Sequence, residues 1–256
     1  MNNDLWNTLR QQAAQQRQIE PLLADFLDRC ILQQDSMDGA LAYLLSHKLY
    51  SESLGFDALY TLLQKNYRQH PPQIAALCAD LDAVLNRDSA CTAAYQVFCF
   101  YKGFHALAAY RCMHSLWHSQ HQILALQLQQ RISMVFGVDI HPAARIGQGI
   151  MLDHATGIVI GETAVIGNHV SIMQGVTLGG TGKESGDRHP KIRDGVLISV
   201  GATVLGNIEV GEGAQIAAGS VVLKAVPAHS IAAGVPAEIT GKASSTTPAL
   251  TMDHRI

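Results

Sequence analysis

Residues 138–178 read VDIHPAARIGQGIMLDHATGIVIGETAVIGNHVSIMQGVTL. Aliphatic side chains return every sixth position, at Ile140, Ile146, Leu152 and Ile158, and again at Ile160, Ile166, Ile172 and Leu178. The same step resumes at Ile192, Ile198, Val204, Val210, Ile216 and Val222. Two interruptions break the series: a two-residue slip after Ile158 and a loop between Leu178 and Ile192. A period of six fits neither the period of about 3.6 of a helix nor the alternation of a long strand. It fits a β-solenoid in which each hexapeptide supplies one short strand and a turn. The aliphatic residue then points into a prism. Glycine follows it at Gly147, Gly161, Gly167, Gly179 and Gly211, where a tight corner is needed. The fifth position is small or β-branched at Ala144, Thr156, Ala164, Val170, Val176, Ala202, Ala214 and Ser220. With three hexapeptides to a coil, residues 140–227 predict about five coils and a prism about 24 Å tall. Stacking of coils, not any single coil, buries the interior. Handedness does not follow from the spacing.

Upstream the rhythm changes. Residues 1–137 hold all five cysteines (Cys30, Cys78, Cys91, Cys99, Cys112), both tryptophans and most of the leucine and glutamine. Leu41, Leu44, Leu45, Lys48 and Leu49 follow three-four spacing, as do Phe104, Leu107, Ala108 and Arg111, so this half predicts packed helices. Breaks are expected near Pro21, Gly39, Gly55 and Pro71-Pro72. Asp88-Ser89 is placed to cap a helix running from Tyr95 to Trp117.

Composition narrows the function. The chain has 256 residues and is 48% hydrophobic, which supports a large core. Charged residues are only 15%, a low share that points to self-association or a low-charge repeat. A net charge of −3 offers no basic excess for nucleic acid. The polar start, Met1 to Gln18, is no signal peptide, and no apolar run is long enough to span a membrane. An odd cysteine count without a CxxC pair reads as buried thiols in a reducing cytoplasm. Gly182-Lys183 lacks the surrounding residues of a phosphate-binding loop, and His114, His118 and His121 read as a helix face, so no metal is expected.

The segments VDIHPAARIGQGIMLDHATGIVIGETAVIG (138–167), QGVTLGGTGK (174–183), GDRHPKI (186–192) and AAGVPA (232–237), with KGFHALAAYR (102–111) upstream, resemble the serine O-acetyltransferases. The likeness spans residues 20 to 241. It implies an α+β fold: a helical oligomerisation domain over 1–137, a left-handed parallel β-helix carrying catalysis over 138–241, and a flexible tail over 242–256. It implies trimers, or dimers of trimers, and acetyl transfer from acetyl-CoA to the hydroxyl of L-serine. Feedback inhibition by L-cysteine is implied too, as is docking of O-acetylserine sulfhydrylase on the C-terminal tail through Ile256.

An alcohol attacking a thioester needs its proton removed as the bond forms, and a neutral imidazole suits that task near pH 7. No GxSxG elbow occurs and the solenoid holds no cysteine, so no covalent enzyme intermediate is required. By resemblance, His154 is the base and Asp139 the carboxylate that orients it. His189, in the loop that breaks the period, shares or completes the base role. Arg188 is suited to fork onto the serine carboxylate. Asp153 and Asp88 receive its ammonium, although here Asp88 is followed by Ser89 where the family usually has a stiffening proline. Gly180, Thr181, Lys183, Ala202 and Ala218 line the CoA groove. The competing readings are the same chemistry on a sugar or xenobiotic alcohol, and an inactive scaffold acting through its tail.

Overall fold

The computed structural model describes residues 2–182 and 185–255. Helices occupy the first half: α1 (Asn2–Ile19), α2 (Ala24–Leu27), α3 (Met37–Leu49), α4 (Phe56–Gln69), α5 (Pro71–Arg87), α6 (Ala94–Phe100), α7 (Lys102–His118) and α8 (Gln122–Phe136). Local chemistry sets the ends. Pro21 opens a 3-10 turn between α1 and α2. Ser36 accepts a hydrogen bond from the Gly39 N–H at 3.4 Å and starts α3, so Gly39 lies inside that helix instead of breaking it. Pro71 stands in the first turn of α5, where its missing N–H costs nothing. Gly137, at φ +67°, ends α8 in the left-handed conformation and turns the chain into the solenoid. Helix α7 is buried nearly all round, from Gly103 to Met113, which makes it the centre of the helical core.

The helix expected through Tyr95 to Trp117 is broken at Tyr101, whose extended backbone (φ −84°, ψ 106°) separates α6 from α7. Asp88 caps neither. It ends α5, and its Oδ1 accepts the Ala90 N–H at 2.8 Å in a local turn.

From Val138 the chain forms stacked coils. Their strands are β1 (Val138–Ile140), β2 (Arg145–Ile146), β3 (Met151–Asp153), β4 (Ile158–Ile160), β5 (Val165–Ile166), β6 (Ser171–Met173) and β7 (Thr177–Gly179). They continue as β8 (Lys191–Ile192), β9 (Leu197–Ile198), β10 (Thr203–Leu205), β11 (Glu209–Val210), β12 (Gln215–Ile216), β13 (Val221–Val222) and β14 (Ser230–Gly234). Three sheets result, in the orders β1-β4-β7-β10-β13, β2-β5-β8-β11 and β3-β6-β9-β12-β14, every pairing parallel. Residues one coil apart pair in register: Ile140 with Ile160, Ile160 with Leu178, Leu178 with Val204, Val204 with Val222. These are the six-residue aliphatics, and all are buried. A last strand, β15 (Ala237–Lys242), folds back antiparallel on β14 and covers the sheet's open edge.

The two halves are clamped. Arg111 of α7 donates from Nη2 to Asp80 of α5 at 2.6 Å and to the Gly147 carbonyl at 2.7 Å, while Asp80 Oδ1 accepts the Ile150 N–H at 2.9 Å. Asp80 is fully buried and Arg111 nearly so. Arg87 reaches Ser171 of β6 at 3.0 Å, and Tyr110 hydrogen-bonds the Ala144 carbonyl.

After β15 the Ser/Thr-rich segment predicted to be flexible lies against the third sheet. A short helix, α9 (Pro248–Thr251), buries Pro248 and Ala249. Ser171 donates to the Ala249 carbonyl at 2.9 Å, Ser199 pairs with His254 at 3.0 Å, and Gln215 donates to the Arg255 carbonyl at 3.2 Å. Backbone carbonyls, unreadable from composition, make two of these three contacts. Ile256, expected to bind the sulfhydrylase, lies outside the described residues. All five cysteines are buried free thiols, and no helix among the described residues is long and apolar enough to cross a membrane.

Candidate active site

The two-residue slip expected after Ile158 lies in the corner before it, so both interruptions of the hexapeptide period carry a histidine. Eight positions separate Leu152 from Ile160, against six between Ile172 and Leu178. The extra pair widens the corner His154–Gly157, where His154 and Ala155 both take left-handed backbone (φ +52° and +61°). Such a conformation costs a non-glycine residue about 1–2 kcal/mol, and widened, strained corners of this kind occur at functional sites. The corner lifts His154 clear of the prism, with 72% of its side chain exposed.

Acids surround it. Asp153 ends β3, is 15% exposed, and brings Oδ2 to 3.9 Å from His154 Nε2. Burial pushes the Asp153 carboxyl above the usual range. The His154 ring opposes that shift and the nearby Asp88 carboxylate adds to it. The two acids expected to bind the ammonium are therefore within electrostatic reach of each other, one from each half of the chain. Asp139 of β1 accepts a hydrogen bond from Gln129 Nε2 of α8 at 2.7 Å, so the carboxylate nearest His154 within one chain is Asp153, its chain neighbour.

A second cluster forms at another corner, where the 180–190 loop leaves β7 for β8. His189 is 7% exposed, its ring laid against Gly161, where a Cβ would stand 2.1 Å from the ring. Only glycine leaves that space. Thr163 locks it. Its hydroxyl accepts the N–H groups of Arg188 and His189 at 3.0 and 3.1 Å, so its own proton is left for His189 Nδ1, 2.9 Å away. The Thr163 N–H also donates to Nδ1 at 3.1 Å. With two donors on Nδ1, the neutral ring carries its proton on Nε2. Burial, and then the Arg188 charge, hold the His189 pKa below the ordinary histidine value, so the ring stays neutral. Arg188 donates to Glu162 Oε2 at 2.7 Å and to the Gly186 carbonyl at 3.1 Å. Lys191 staples the loop through the Thr163 and His189 carbonyls, both at 2.8 Å.

Of the groove residues, Gly180 packs its Cα against Arg188, and Thr181 faces Gly206 across the corner. Ala218 is exposed on its corner. Ala202 is fully buried, its carbonyl accepting the Thr177 N–H at 3.0 Å, so its methyl belongs to the core and faces no groove. Lys183 lies outside the described residues. Glu162, Thr163 and Lys191 escaped the sequence reading. The polar GET corner directly across one coil from the histidine loop was the signal available for the first two. Among the described residues, no group of three or more His, Cys, Asp or Glu side chains is placed to hold a metal.

A parallel coil of hexapeptides with polar residues at its interruptions defines a hexapeptide-repeat transferase, and residues 189–224 match the profile described as bacterial transferase hexapeptide (six repeats). Residues 5–109 match the serine acetyltransferase N-terminal family. The chain is 52% identical to the serine acetyltransferase of Escherichia coli strain K12 over 250 residues, covering 98% of this chain and 92% of that one. Three solved serine acetyltransferases share the fold. One in complex with cysteine is 50% identical, with a TM-score of 0.98 and full coverage of both chains. The soybean enzyme complexed with serine is 50% identical, with a TM-score of 0.92, covering 93% of this chain and 98% of that one. One in complex with CoA is 50% identical, with a TM-score of 0.90, covering 94% of this chain and 100% of that one. This chain belongs to the serine acetyltransferase family.

Proposed function

We propose that the chain transfers the acetyl group of acetyl-CoA to the hydroxyl of L-serine, giving O-acetyl-L-serine and CoA, with His154 as general base. The observation that carries the assignment of roles is a complementary pair of receptors. Asp153 lies beside His154 and Asp88 lies near Asp153, two carboxylates that suit an ammonium; a guanidinium, Arg188, is next to His189 and suits a carboxylate. An α-amino acid presents both groups beside its hydroxyl.

In this mechanism His154 takes the hydroxyl proton as the serine oxygen attacks the thioester carbonyl. The carbonyl oxygen gains negative charge, and the His189 Nε2–H is the donor that meets it. Collapse breaks the C–S bond, and the imidazolium of His154 returns the proton to the departing CoA thiolate. A well-placed base contributes about 10² to 10⁴ in rate, and one oxyanion donor about 10² to 10³. Asp139 serves as the orienting carboxylate only when His154 is drawn toward β1. Gly180, Thr181, Lys183 and Ala218 are the candidates for the CoA arm.

The two imidazoles occupy different corners, so the complete pocket lies between neighbouring chains of a trimer, or a dimer of trimers built through the helical half. L-cysteine carries the same ammonium and carboxylate and acts as feedback inhibitor by competing for the serine pocket. The reaction commits serine to cysteine synthesis in the cytoplasm. The tail, ending in Ile256, presents an aliphatic side chain and a free carboxylate to O-acetylserine sulfhydrylase. Thiol release from acetyl-CoA, measured with L-serine, with a sugar alcohol and with neither, tests the reading: turnover with L-serine alone is expected, and equal turnover with the sugar alcohol refutes it.

A further inference from the structure

Asp88 sits in a turn that has little to hold it. It comes directly after the last residue of α5, and the next two residues, Ser89 and Ala90, are exposed. Its Oδ1 is fixed by the Ala90 N–H, from within the same turn. Its Oδ2 is held by a residue from elsewhere: the Tyr101 hydroxyl donates to it at 3.0 Å. Tyr101 is the extended residue that divides α6 from α7.

The start of α7, immediately after Tyr101, is anchored to the solenoid at the His154 corner. Lys102 donates from Nζ to the Thr156 hydroxyl. Gly103 lies so close beneath the Leu152 carbonyl that a Cβ there would stand 2.1 Å from the oxygen. Leu152 immediately precedes Asp153 and His154. The chain of contacts runs from the solenoid acid through Leu152, Gly103 and Tyr101 to the helical acid. Burial, and then the Asp88 carboxylate, raise the Tyr101 phenol well above its ordinary pKa, so the hydroxyl remains a donor across the working range.

We propose that Tyr101 is a positioning residue for substrate, holding the Asp88 carboxylate in register with Asp153 so that the two receive the serine ammonium together. The inference rests on the ammonium role given above to these acids. A turnover measurement on the unaltered chain with L-serine tests that role's premise separately, before any variant is made.

The decisive variant is Tyr101→Phe, which keeps the ring's packing and removes the hydroxyl. Loss of a hydrogen bond to a charged group predicts a KM for serine raised about ten-fold, with kcat and the KM for acetyl-CoA changed less than about two-fold. Ser89→Pro supplies stiffness by another route. Asp88 already has φ −86° and ψ 109°, the extended conformation a residue preceding proline favours. The double variant Tyr101→Phe/Ser89→Pro is expected to recover the serine KM to within about three-fold. In an Asp88→Asn background, Tyr101→Phe adds no further rise. A serine KM in Tyr101→Phe equal to that of the parent chain overturns the proposal. So does a fall in kcat alone, or an effect that simply adds to that of Asp88→Asn. Should Tyr101→Phe lose its helical circular dichroism, the Ser89→Pro double variant decides. Restored folding with an uncorrected serine KM then counts against a positioning role.

Discussion

His154 and His189 stand at opposite edges of one sheet. The chain enters β4, in the sheet β1-β4-β7-β10-β13, directly from the His154 corner, and it leaves β7 of the same sheet through the loop that ends in His189. Three-residue strands make that sheet roughly 10 Å across, too wide for both rings to meet one hydroxyl within a single chain. In a cyclic assembly of prisms, each chain's His154 edge is offered to the neighbour's His189 edge. His154→Ala and His189→Ala chains, each strongly impaired alone, should therefore complement when unfolded together and refolded. Random trimers formed from an equal mixture should regain about a quarter of the sites, since each working site needs one intact histidine from each of two neighbours. A refolded mixture no more active than either variant alone excludes a shared site.

The tautomer of His189 suits it to a different job from the base role proposed for His154, and substitution can tell the two jobs apart. Thr163 supplies two donors to Nδ1, leaving Nε2 with the proton. Glutamine places an amide N–H near the position of histidine Nε2. His189→Ala should lower kcat by about 10² to 10³, the usual cost of one oxyanion donor, and His189→Gln should recover a large part of that loss. No such rescue is expected at His154, because an amide cannot accept the hydroxyl proton. Steady-state kcat for the four variants checks the distinction. Equal losses in His189→Ala and His189→Gln remove the donor role.

Much of the architecture was legible along the chain because a six-residue period leaves few folds to choose from. The interruptions were as informative as the repeat, though spacing put the two-residue slip after Ile158 while the coil register puts it earlier, in the widened His154 corner; the gap before Ile192 is the His189 loop. Ala202 was placed at the groove by resemblance, and its burial came only with the coils, where the fifth position is buried at Ala144, Ala164 and Ala202 but exposed at Thr156. Contacts between distant segments left no such trace. Thr163 locks a ring 26 positions away, and Tyr101 meets Asp88 across a helix break that three-four spacing conceals. A Ser/Thr-rich tail reads as mobile, whereas here its backbone carbonyls find partners on Ser171 and Gln215.

Acidity should act on serine affinity through Asp153. Its carboxyl titrates above the ordinary carboxylate range because burial, with Asp88 nearby, disfavours the charged form. Below that raised pKa Asp153 is neutral and holds an ammonium poorly. The KM for serine should thus rise as pH falls through it, and serine binding should release a fraction of a proton as the bound ammonium draws the pKa down. Asp153→Asn should raise the KM at neutral pH and flatten its rise toward acid. A KM–pH curve of unchanged shape in Asp153→Asn would place the titration elsewhere.

One buried ion pair of the helical half also grips the first coil of the solenoid. Asp80 is fully buried, with Oδ2 on the Arg111 guanidinium and Oδ1 on the Ile150 N–H, while Arg111 also holds the Gly147 carbonyl. Removing one partner strands a charge and its backbone donor or acceptor in the interior, at a cost of about 3–5 kcal/mol. Asp80→Ala should accordingly lower the thermal midpoint by several degrees and raise the serine KM, because α5 carries Asp88 at its end. Removing both charges leaves no bare ion, so Asp80→Ala/Arg111→Met should be less damaging than the two single changes added together. Calorimetry of the single and double variants measures this coupling directly. Strict additivity of the two losses would show that the pair is not what ties α5 and α7 to the first coil.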